Sequence, residues 1–222
     1  NNIYTKVINY FNPKLFLGMT ATPDKRDDNQ EGKNIYEIFH YQIAHEIRLQ
    51  QAMEDNLLCP FHYFGISEVV SLDDKTLQAA KLTDEEFNQL TSDERVRHVI
   101  EQSEYYGYSG DRVRGLIFCS RVKECEELSR KFNALGYRTI ALSGSDSEEK
   151  RQKAFERLAM DEADTTEEMQ PLDYIFSRDI LNEGVDIVEV NQVIMLRPTQ
   201  SPIVFIQQLG RGLRKAKRKE YV

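Results

Sequence analysis

One stretch decides the fold class: residues 115–142 have the sequence GLIFCSRVKECEELSRKFNALGYRTIAL. It begins with the apolar run Leu116–Cys119. The next segment has apolar residues at helical spacing and stops at Gly136, a residue type that commonly follows a helix. A second apolar run, Tyr137–Leu142, completes a strand–helix–strand unit. Strands joined by a helix pair in parallel, so the stretch predicts part of a parallel sheet.

The same alternation continues to the C-terminus. Ser145 and Glu148 have the spacing of a capping box, which predicts a helix that ends near Leu158. Leu172–Phe176 and Val190–Leu196 predict two more strands, and Ile203–Leu209 predicts a last helix. Strands that alternate with helices and are apolar on both sides predict an α/β fold, with a mostly parallel sheet between two layers of helices.

The N-terminal part has a less regular pattern. It predicts a helix at Tyr4–Phe11, a short buried strand at Leu15–Met19 and a polar loop at 24–34. Three further elements are predicted: a helix at His45–Asn56, a strand at Cys59–Ile66 and a helix at Asp93–Tyr106.

Composition restricts the class of protein. The 222 residues are 40% hydrophobic and 30% charged, as in globular proteins, and no apolar run is long enough for a membrane helix. The net charge of −8 argues against a generically basic nucleic-acid binder, although six of the nine residues at 211–219 are basic. Three cysteines without a C-x-x-C pair predict a reducing, cytoplasmic compartment, and the histidine spacing predicts no metal site.

Small and hydroxyl residues follow the predicted strands. In open parallel sheets ligands bind beyond the carboxyl ends of the strands, where such residues expose N–H and O–H donors to an anion. A single hydroxyl residue at a strand end can instead simply cap the next helix, as Ser120 can do. Six sites at one edge favour anion binding: 20–22, 120–121, 143–144, 177–179, 182–186 and 197–199.

Two arginines near the C-terminus are spaced to share one ligand. Arg211 and Arg214 lie three residues apart, so on a helical face both can reach one polyphosphate. Gly210 predicts a tight turn after the last helix, and Gly212 predicts a close approach of the backbone to a ligand.

These residues together resemble superfamily-two helicases. The string LGMTATP at Leu17–Pro23 resembles motif III, and Leu116–Arg121 resembles motif IV. NEGVDI at Asn182–Ile187 resembles motif V, and QQLGRGLR at Gln207–Arg214 resembles motif VI. The order and spacing agree over nearly the whole chain. LRPTQS at Leu196–Ser201 is similar to the branch related to type III restriction subunits.

The resemblance implies a motor of two RecA-like lobes, with ATP and Mg²⁺ in the cleft between them and nucleic acid across the top. Motif III would couple the lobes through Thr20, Ala21 and Thr22. Gly184 and Asp186 would bind ATP. The catalytic group would be Gln207, Arg211 and Arg214, with the arginines at the terminal phosphates. The nucleic-acid backbone would be contacted by Ser120, Arg121, Ser143, Gly144, and Ser177 or Arg178.

The resemblance also implies a division into lobes. Residues 1–44 would be the end of the first lobe, and residues 45–222 a second lobe that is truncated at its C-terminal end. The chain contains no G-x-x-x-x-G-K-[ST] motif. Alone it is therefore expected to bind neither ATP nor Mg²⁺ and to be inactive. Its expected partners are the missing N-terminal lobe and nucleic acid, DNA in preference to RNA, with no membrane.

The letters DEAD at Asp161–Asp164 are expected to be coincidental. A metal-binding aspartate of this motif ends a buried strand. Here the preceding residues have helical spacing, so the segment Met160–Pro171 predicts a mobile acidic surface loop without a metal. Two other functions stay open: a non-catalytic RecA-like module that binds nucleic acid or protein, and the motor of a restriction endonuclease subunit. Translocation polarity and pathway are left open too.

Overall fold

The computed structural model of the chain describes residues 3–11, 13–20, 23, 35–70, 72, 81–181, 187–197 and 202–222. The chain forms two compact units, Asn1–Gln51 and Ala52–Val222. The assignment of residues 1–44 to one lobe and 45–222 to another stays a prediction.

A parallel sheet of four described strands forms the centre of the second unit. The strands are β1 (Gly115–Phe118), β2 (Thr139–Leu142), β3 (Tyr174–Ser177) and β4 (Gln192–Met195), in the spatial order β2-β3-β1-β4. Each pair is parallel, and Phe118 lies opposite both Ser177 and Met195. The predicted fold class, a RecA-like three-layer α/β fold, is confirmed.

Alternate residues of the strands enter two separate cores, because successive side chains of a strand point to opposite faces of the sheet. Ile117 and Phe176 belong to one core, with Leu128 and Phe132 of a flanking helix. On the other face, Leu116, Phe118 and Ile175 pack with Ala154 and Leu158 of a second helix. The sheet is therefore covered on both faces.

Most helices of the second unit begin and end close to their predicted bounds. Asp93–Tyr106 is helical over the predicted range, and the helix after β1 stops two residues before Gly136. Asp84–Leu90 is a helix that the pattern did not predict. The helices among the described residues are α1 (Ile3–Tyr10), α2 (Ile35–Ile38), α3 (Leu49–Glu54), α4 (Asp84–Leu90), α5 (Asp93–Tyr106), α6 (Val122–Ala134), α7 (Glu148–Ala159) and α8 (Pro202–Gly210).

The predicted strand at Leu15–Met19 is wrong for the described residues. The segment has no strand assignment, and Leu15 and Met19 are 85% and 90% exposed. A strand exists only beside a partner, and none of the described residues of the first unit pairs with this run. Phe16 instead stacks on Phe39, with ring centroids 4.6 Å apart.

Two further elements differ from their predictions. The helix predicted at His45–Asn56 is the shorter α3. The strand predicted at Cys59–Ile66 is not formed, although its backbone bonds to the C-terminal segment: Cys59 N–H donates to the carbonyl of Leu213, and His62 N–H donates to that of Val222. These isolated bonds hold the segment in place without a regular ladder.

Two predicted caps are also corrected. The cap of α7 is Ser147, whose hydroxyl accepts from the N–H of Lys150, while Ser145 bonds to the Ser143 hydroxyl. The N-cap of α6 is Arg121 rather than Ser120, and no side chain accepts a capping bond there. Among the described residues, no helix is long and apolar enough to cross a membrane.

Candidate nucleic-acid and nucleotide sites

The carboxyl ends of the described strands meet at one edge of the sheet. The register places Phe118, Leu142, Ser177 and Met195 in one row across it. The chain segments that leave this row contain most of the residues predicted to contact nucleic acid: Ser120, Arg121, Ser143, Gly144 and Arg178. The structure therefore places these residues at a common edge. That they bind nucleic acid stays a prediction.

Ser120 uses its donors inside the protein. Its N–H and its hydroxyl both donate to Oε2 of Glu124, at 2.9 and 2.6 Å. The hydroxyl also accepts from Nη1 of Arg121 at 3.0 Å. A serine hydroxyl has one proton, so in this arrangement Ser120 has none left for a phosphate oxygen. A phosphate contact at this strand end would come from Arg121.

Behind Ser120 lies a buried ion pair. Glu124 and Arg95 are 0% and 1% exposed, and Oε1 of Glu124 accepts from Nη1 of Arg95 at 2.8 Å. The same guanidinium donates to the carbonyl of Leu196, the residue after β4, and to both carboxylate oxygens of Glu68. Burial lowers the pKa of Arg95, but Glu68 and Glu124 outweigh it, so the pKa is raised and the arginine stays charged.

After β2, the Asp146 carboxylate accepts hydrogen bonds from the edge, as Glu124 does after β1. The N–H and hydroxyl of Ser143 donate to Oδ2 of Asp146, at 2.7 and 3.2 Å. The ammonium of Lys150 and the N–H of Ser143 lower the pKa of Asp146, so it is charged at neutral pH. Gly144 is open: a Cβ there would come no closer than 3.8 Å, to Cγ2 of Ile180. An anion could therefore approach the Gly144 backbone closely.

The structure separates the two candidates after β3. Ser177 is fully buried, and among the described residues its hydroxyl has no hydrogen-bond partner. The Arg178 side chain is 53% exposed and pairs with Asp179, Nε to Oδ2, at 3.0 Å. Nη1 of Arg197, after β4, also bonds Asp179, at 3.0 Å. Only Arg178 of the two candidates is presented to solvent.

The predicted catalytic residues lie elsewhere. Arg211 follows α8, and a Cβ on Gly212 would meet Cγ1 of Val222 at 2.7 Å and Cγ2 of Val193 at 3.1 Å. Val193 belongs to the amino-terminal half of β4, so the segment that bears Arg211 and Arg214 lies away from the carboxyl edge. Gln207 and both arginines are half-buried. The structure thus separates two groups of predicted site residues.

The two nearby glycines have different surroundings. Gly210 is the last residue of α8, and its carbonyl accepts from the N–H of Leu213 at 3.3 Å, so the chain turns after the helix as predicted. Its φ is not positive, so the turn does not require a glycine there. Gly212 is needed for packing, because a Cβ there would meet two valines of the chain; that its backbone approaches a ligand stays a prediction.

Several predicted positions lie outside the described residues: Ala21, Thr22, Gly184 and Asp186. Thr20 is described and exposed, and it belongs to the first unit. The structure therefore leaves the predicted motif III and motif V roles as predictions.

The DEAD segment is exposed but is anchored by arginines. Glu162–Asp164 forms a turn of 3-10 helix. Asp161 pairs with the buried Arg114, and Glu162 pairs with Arg138. The guanidinium of Arg138 lowers the pKa of Glu162. Among the described residues, no group of three or more histidines, cysteines or acids is placed to hold a metal.

Sequence reasoning did not select two residues that shape the edge, Arg95 and Glu124. It placed Asp179 and Arg197 in its strand-end sites but gave them no individual role. Arg197 had a signal, because it directly follows a predicted strand end. Glu124 had a weaker one, a carboxylate in the first turn of α6. Arg95 and Glu124 are 29 positions apart, so only the fold reveals that they pair.

A family model described as the helicase conserved C-terminal domain matches residues 94–216, more than half of the chain. The chain belongs to this helicase C-terminal family. The resemblance to superfamily-two helicases that the motifs indicated is thereby confirmed for this lobe.

Three similar proteins show the range of the matches. A 51.5 kDa protein of Lactococcus phage (isolate 7-9) is 18% identical over 218 residues, covering 97% of this chain and 44% of that protein. The pre-mRNA-splicing ATP-dependent RNA helicase prp28 of Schizosaccharomyces pombe (strain 972 / ATCC 24843) is 28% identical over 102 residues, covering 46% of this chain and 14% of that protein.

The third similar protein is a solved structure. A fragment of a putative HsdR subunit of a type I restriction enzyme from Vibrio vulnificus YJ016 has a TM-score of 0.67 at 21% identity. It covers 98% of this chain and 41% of that one, and at this identity it shows a shared fold. The helicase chain spans less than half the length of these relatives.

Proposed function

We propose that this chain supplies the second RecA-like lobe of an ATP-dependent helicase or translocase that acts on DNA. Family membership supports a helicase lobe. The observation that carries the nucleic-acid part is the row of strand ends, which gathers Arg121, Arg178, Arg197 and the open Gly144 at one edge. Arginine forks and free backbone N–H groups are the usual donors to a phosphate backbone.

Binding at this edge is expected to be weak and sensitive to salt. Few phosphates are neutralised by three arginines, and the net charge of −8 opposes the approach of a polyanion. Asp146 and Asp179 already accept from donors of the edge, and a phosphate must compete with Asp179 for Arg178 and Arg197. Weak contacts suit a motor, which has to release its track in every cycle.

Arg211 and Arg214 would act on ATP. Bound Mg²⁺ and ATP supply the reacting phosphoryl group and its counter-charge. Each guanidinium offers a planar fork to phosphate oxygens, and it favours the transition state because charge develops on the transferring group as the bond breaks. Gln207 would add a neutral hydrogen bond. The P-loop and the Mg²⁺ ligands would come from the first lobe, so this chain alone is expected not to hydrolyse ATP.

The assignment of residues 1–44 to that first lobe belongs to the same proposal. The exposed apolar run Leu15–Met19 supports it, since apolar side chains of this kind need a partner to cover them. Thr20, Ala21 and Thr22 would then couple the two lobes.

DNA is the nucleic acid on which we propose that the motor acts. The fold likeness to a restriction-enzyme subunit extends over 98% of this chain, whereas the match to an RNA helicase covers 46%. The same likeness supports a second candidate, the motor of a restriction endonuclease. ATP-dependent cleavage of DNA by the full-length protein would distinguish that candidate from a helicase without a nuclease.

The edge is tested by nucleic-acid binding of single-residue variants. Fluorescence anisotropy would compare Arg121→Ala and Arg178→Ala with Arg130→Ala, a control on α6 whose side chain is 66% exposed and pairs only with Glu127 among the described residues. Loss of one phosphate contact lowers the slope of log K against log salt by about 0.7 for a single strand. Both edge variants should show this loss and the control should not.

Unchanged slopes in both edge variants would contradict binding at this edge. Single-stranded DNA and RNA of one sequence are compared in parallel. Equal or tighter binding to RNA would remove the preference for DNA without affecting the edge itself. Tight binding that depends on base sequence at ~0.15 M salt would favour the non-catalytic binding module instead.

A further inference from the structure

The ammonium of Lys219 joins two segments of the predicted nucleotide site. Its Nζ donates to the carbonyl oxygens of Val188, Val190 and Gly212, at 2.6, 2.9 and 3.0 Å. An ammonium has three N–H donors, so this side chain uses all of them on backbone carbonyls. Lys219 is thus fully committed to holding backbone and has no donor left for a ligand.

The three carbonyls belong to two segments, one that carries the predicted catalytic arginines and one that follows the predicted ATP-binding residues. Gly212 lies between Arg211 and Arg214 and is wedged against Val193 and Val222. Val188 and Val190 follow the stretch that contains Gly184 and Asp186. One charged group therefore fixes the arginine segment to the segment directly after the predicted ATP-binding residues.

The surroundings of Lys219 are fixed as well. The next residue, Glu220, donates its N–H to Oγ of Ser109, and the N–H of Val222 donates to the carbonyl of Pro60. The carbonyl of Leu213 accepts from Cys59. Lys219 thus sits in a segment that is itself held by backbone bonds, and loss of its ammonium would leave the carbonyls of Val188, Val190 and Gly212 without these donors.

We propose that Lys219 is a positioning residue for the catalytic arginines. It holds the Gly212 carbonyl so that Arg211 and Arg214 leave the chain in fixed directions relative to the segment after Asp186. The proposal rests on the proposed function, because it acts through the arginines. Lys219 itself touches neither ATP nor nucleic acid in this account.

The protonation state of Lys219 supports the proposal. Burial lowers its pKa to about 8; the Cys59 thiol and the Glu189 carboxylate oppose this, and Arg214 adds to it. A neutral amine has two donors and cannot hold three carbonyls. Positioning should therefore weaken as the pH rises through about 8, which gives a test that needs no substitution.

The test uses the full-length protein that carries this chain and a P-loop lobe. ATP turnover is measured for Lys219→Met and for Lys217→Met, a control in which an exposed lysine two residues away is changed in the same manner. A misplacement of about 1 Å can cost 10²-fold in rate, so kcat of Lys219→Met should fall about 10- to 100-fold. KM for ATP should change less than about threefold, and the control should keep its kcat.

A double-mutant cycle separates positioning from general stability. If Lys219 acts through Arg211, the pair Arg211→Ala and Lys219→Met should be no slower than Arg211→Ala alone, within about threefold. The proposal would be overturned if the kcat of the double variant fell by the product of the two single-variant losses. If Arg211→Ala itself keeps its kcat, the proposed function fails; if only Lys219→Met keeps its kcat, the inference fails alone.

The pH profile covers the case in which Lys219→Met does not fold. In the unsubstituted protein the kcat should fall above pH of about 8, and this limb should be absent from the residual activity of Arg211→Ala. The same limb in both proteins would contradict the proposal.

Discussion

Replacement of Glu124 by alanine probes the buried ion pair behind the carboxyl edge. The change removes one of the two acceptors of Arg95 Nη1 and the shared acceptor of both Ser120 donors. Breaking a buried ion pair typically costs 3–5 kcal/mol. Arg95 keeps Glu68 and the carbonyls of Leu90 and Leu196, so the lower end, about 3 kcal/mol, is expected.

Urea unfolding and a melting curve measure this loss. For a chain of this length about 3 kcal/mol corresponds to a fall in Tm of roughly 6–12 °C. Glu126→Ala is the matched control, because Glu126 is an exposed glutamate of the same helix, and it should change stability by less than about 0.5 kcal/mol. A loss below about 1 kcal/mol in Glu124→Ala would refute the view that the pair holds the strand ends together.

Three more predictions concern the edge, the arginine segment and the acidic loop. Asp179→Asn removes the carboxylate shared by Arg178 and Arg197. DNA should then bind up to about fivefold more tightly by anisotropy, since a pair of this kind is worth up to ~1 kcal/mol; Asp164→Asn, with the same change of charge, should show no such gain. Gly212→Ala forces a Cβ against Val222 and Val193 and should lose about 1–3 kcal/mol in urea unfolding, whereas Gly210→Ala, at an open helical position, should be neutral or slightly more stable. Replacing Asp161 and Glu162 by serine should lower Tm by a few degrees through loss of the pairs with Arg114 and Arg138, and leave activity within a few-fold; a large loss of activity at unchanged Tm would show that the segment has a catalytic role.

Local patterns of the second unit were sufficient to predict its fold. The apolar stripe of Asp93–Tyr106 and the four apolar runs depend on neighbours within one element, and each was found within about two residues of its predicted place. Leu15–Met19 has an equally apolar pattern but no described partner, and strand formation depends on a partner that the local sequence does not contain.

The site was predictable in position but not in its internal bonds. Parallel strands send all their carboxyl ends to one edge, so the placement of Arg121, Ser143 and Arg178 follows from topology. The carboxylates that occupy this edge do not follow from it, because Glu124 meets Arg95 only after the fold brings α5 beside α6. The role of Gly212 has the same origin, since its neighbour Val193 lies in another element.

The turnover number of Arg211→Ala tests the central claim most directly. In the full-length protein, with saturating DNA, kcat for ATP hydrolysis should fall about 10³-fold, while ATP affinity falls less than roughly tenfold. Arg130→Ala should keep its kcat, and Arg211→Lys should recover little, because it restores the charge but not the planar fork. A near-normal kcat in Arg211→Ala, with only a lower melting temperature, would show that the arginine is structural and would contradict the assignment of this chain as the lobe that completes the ATP site.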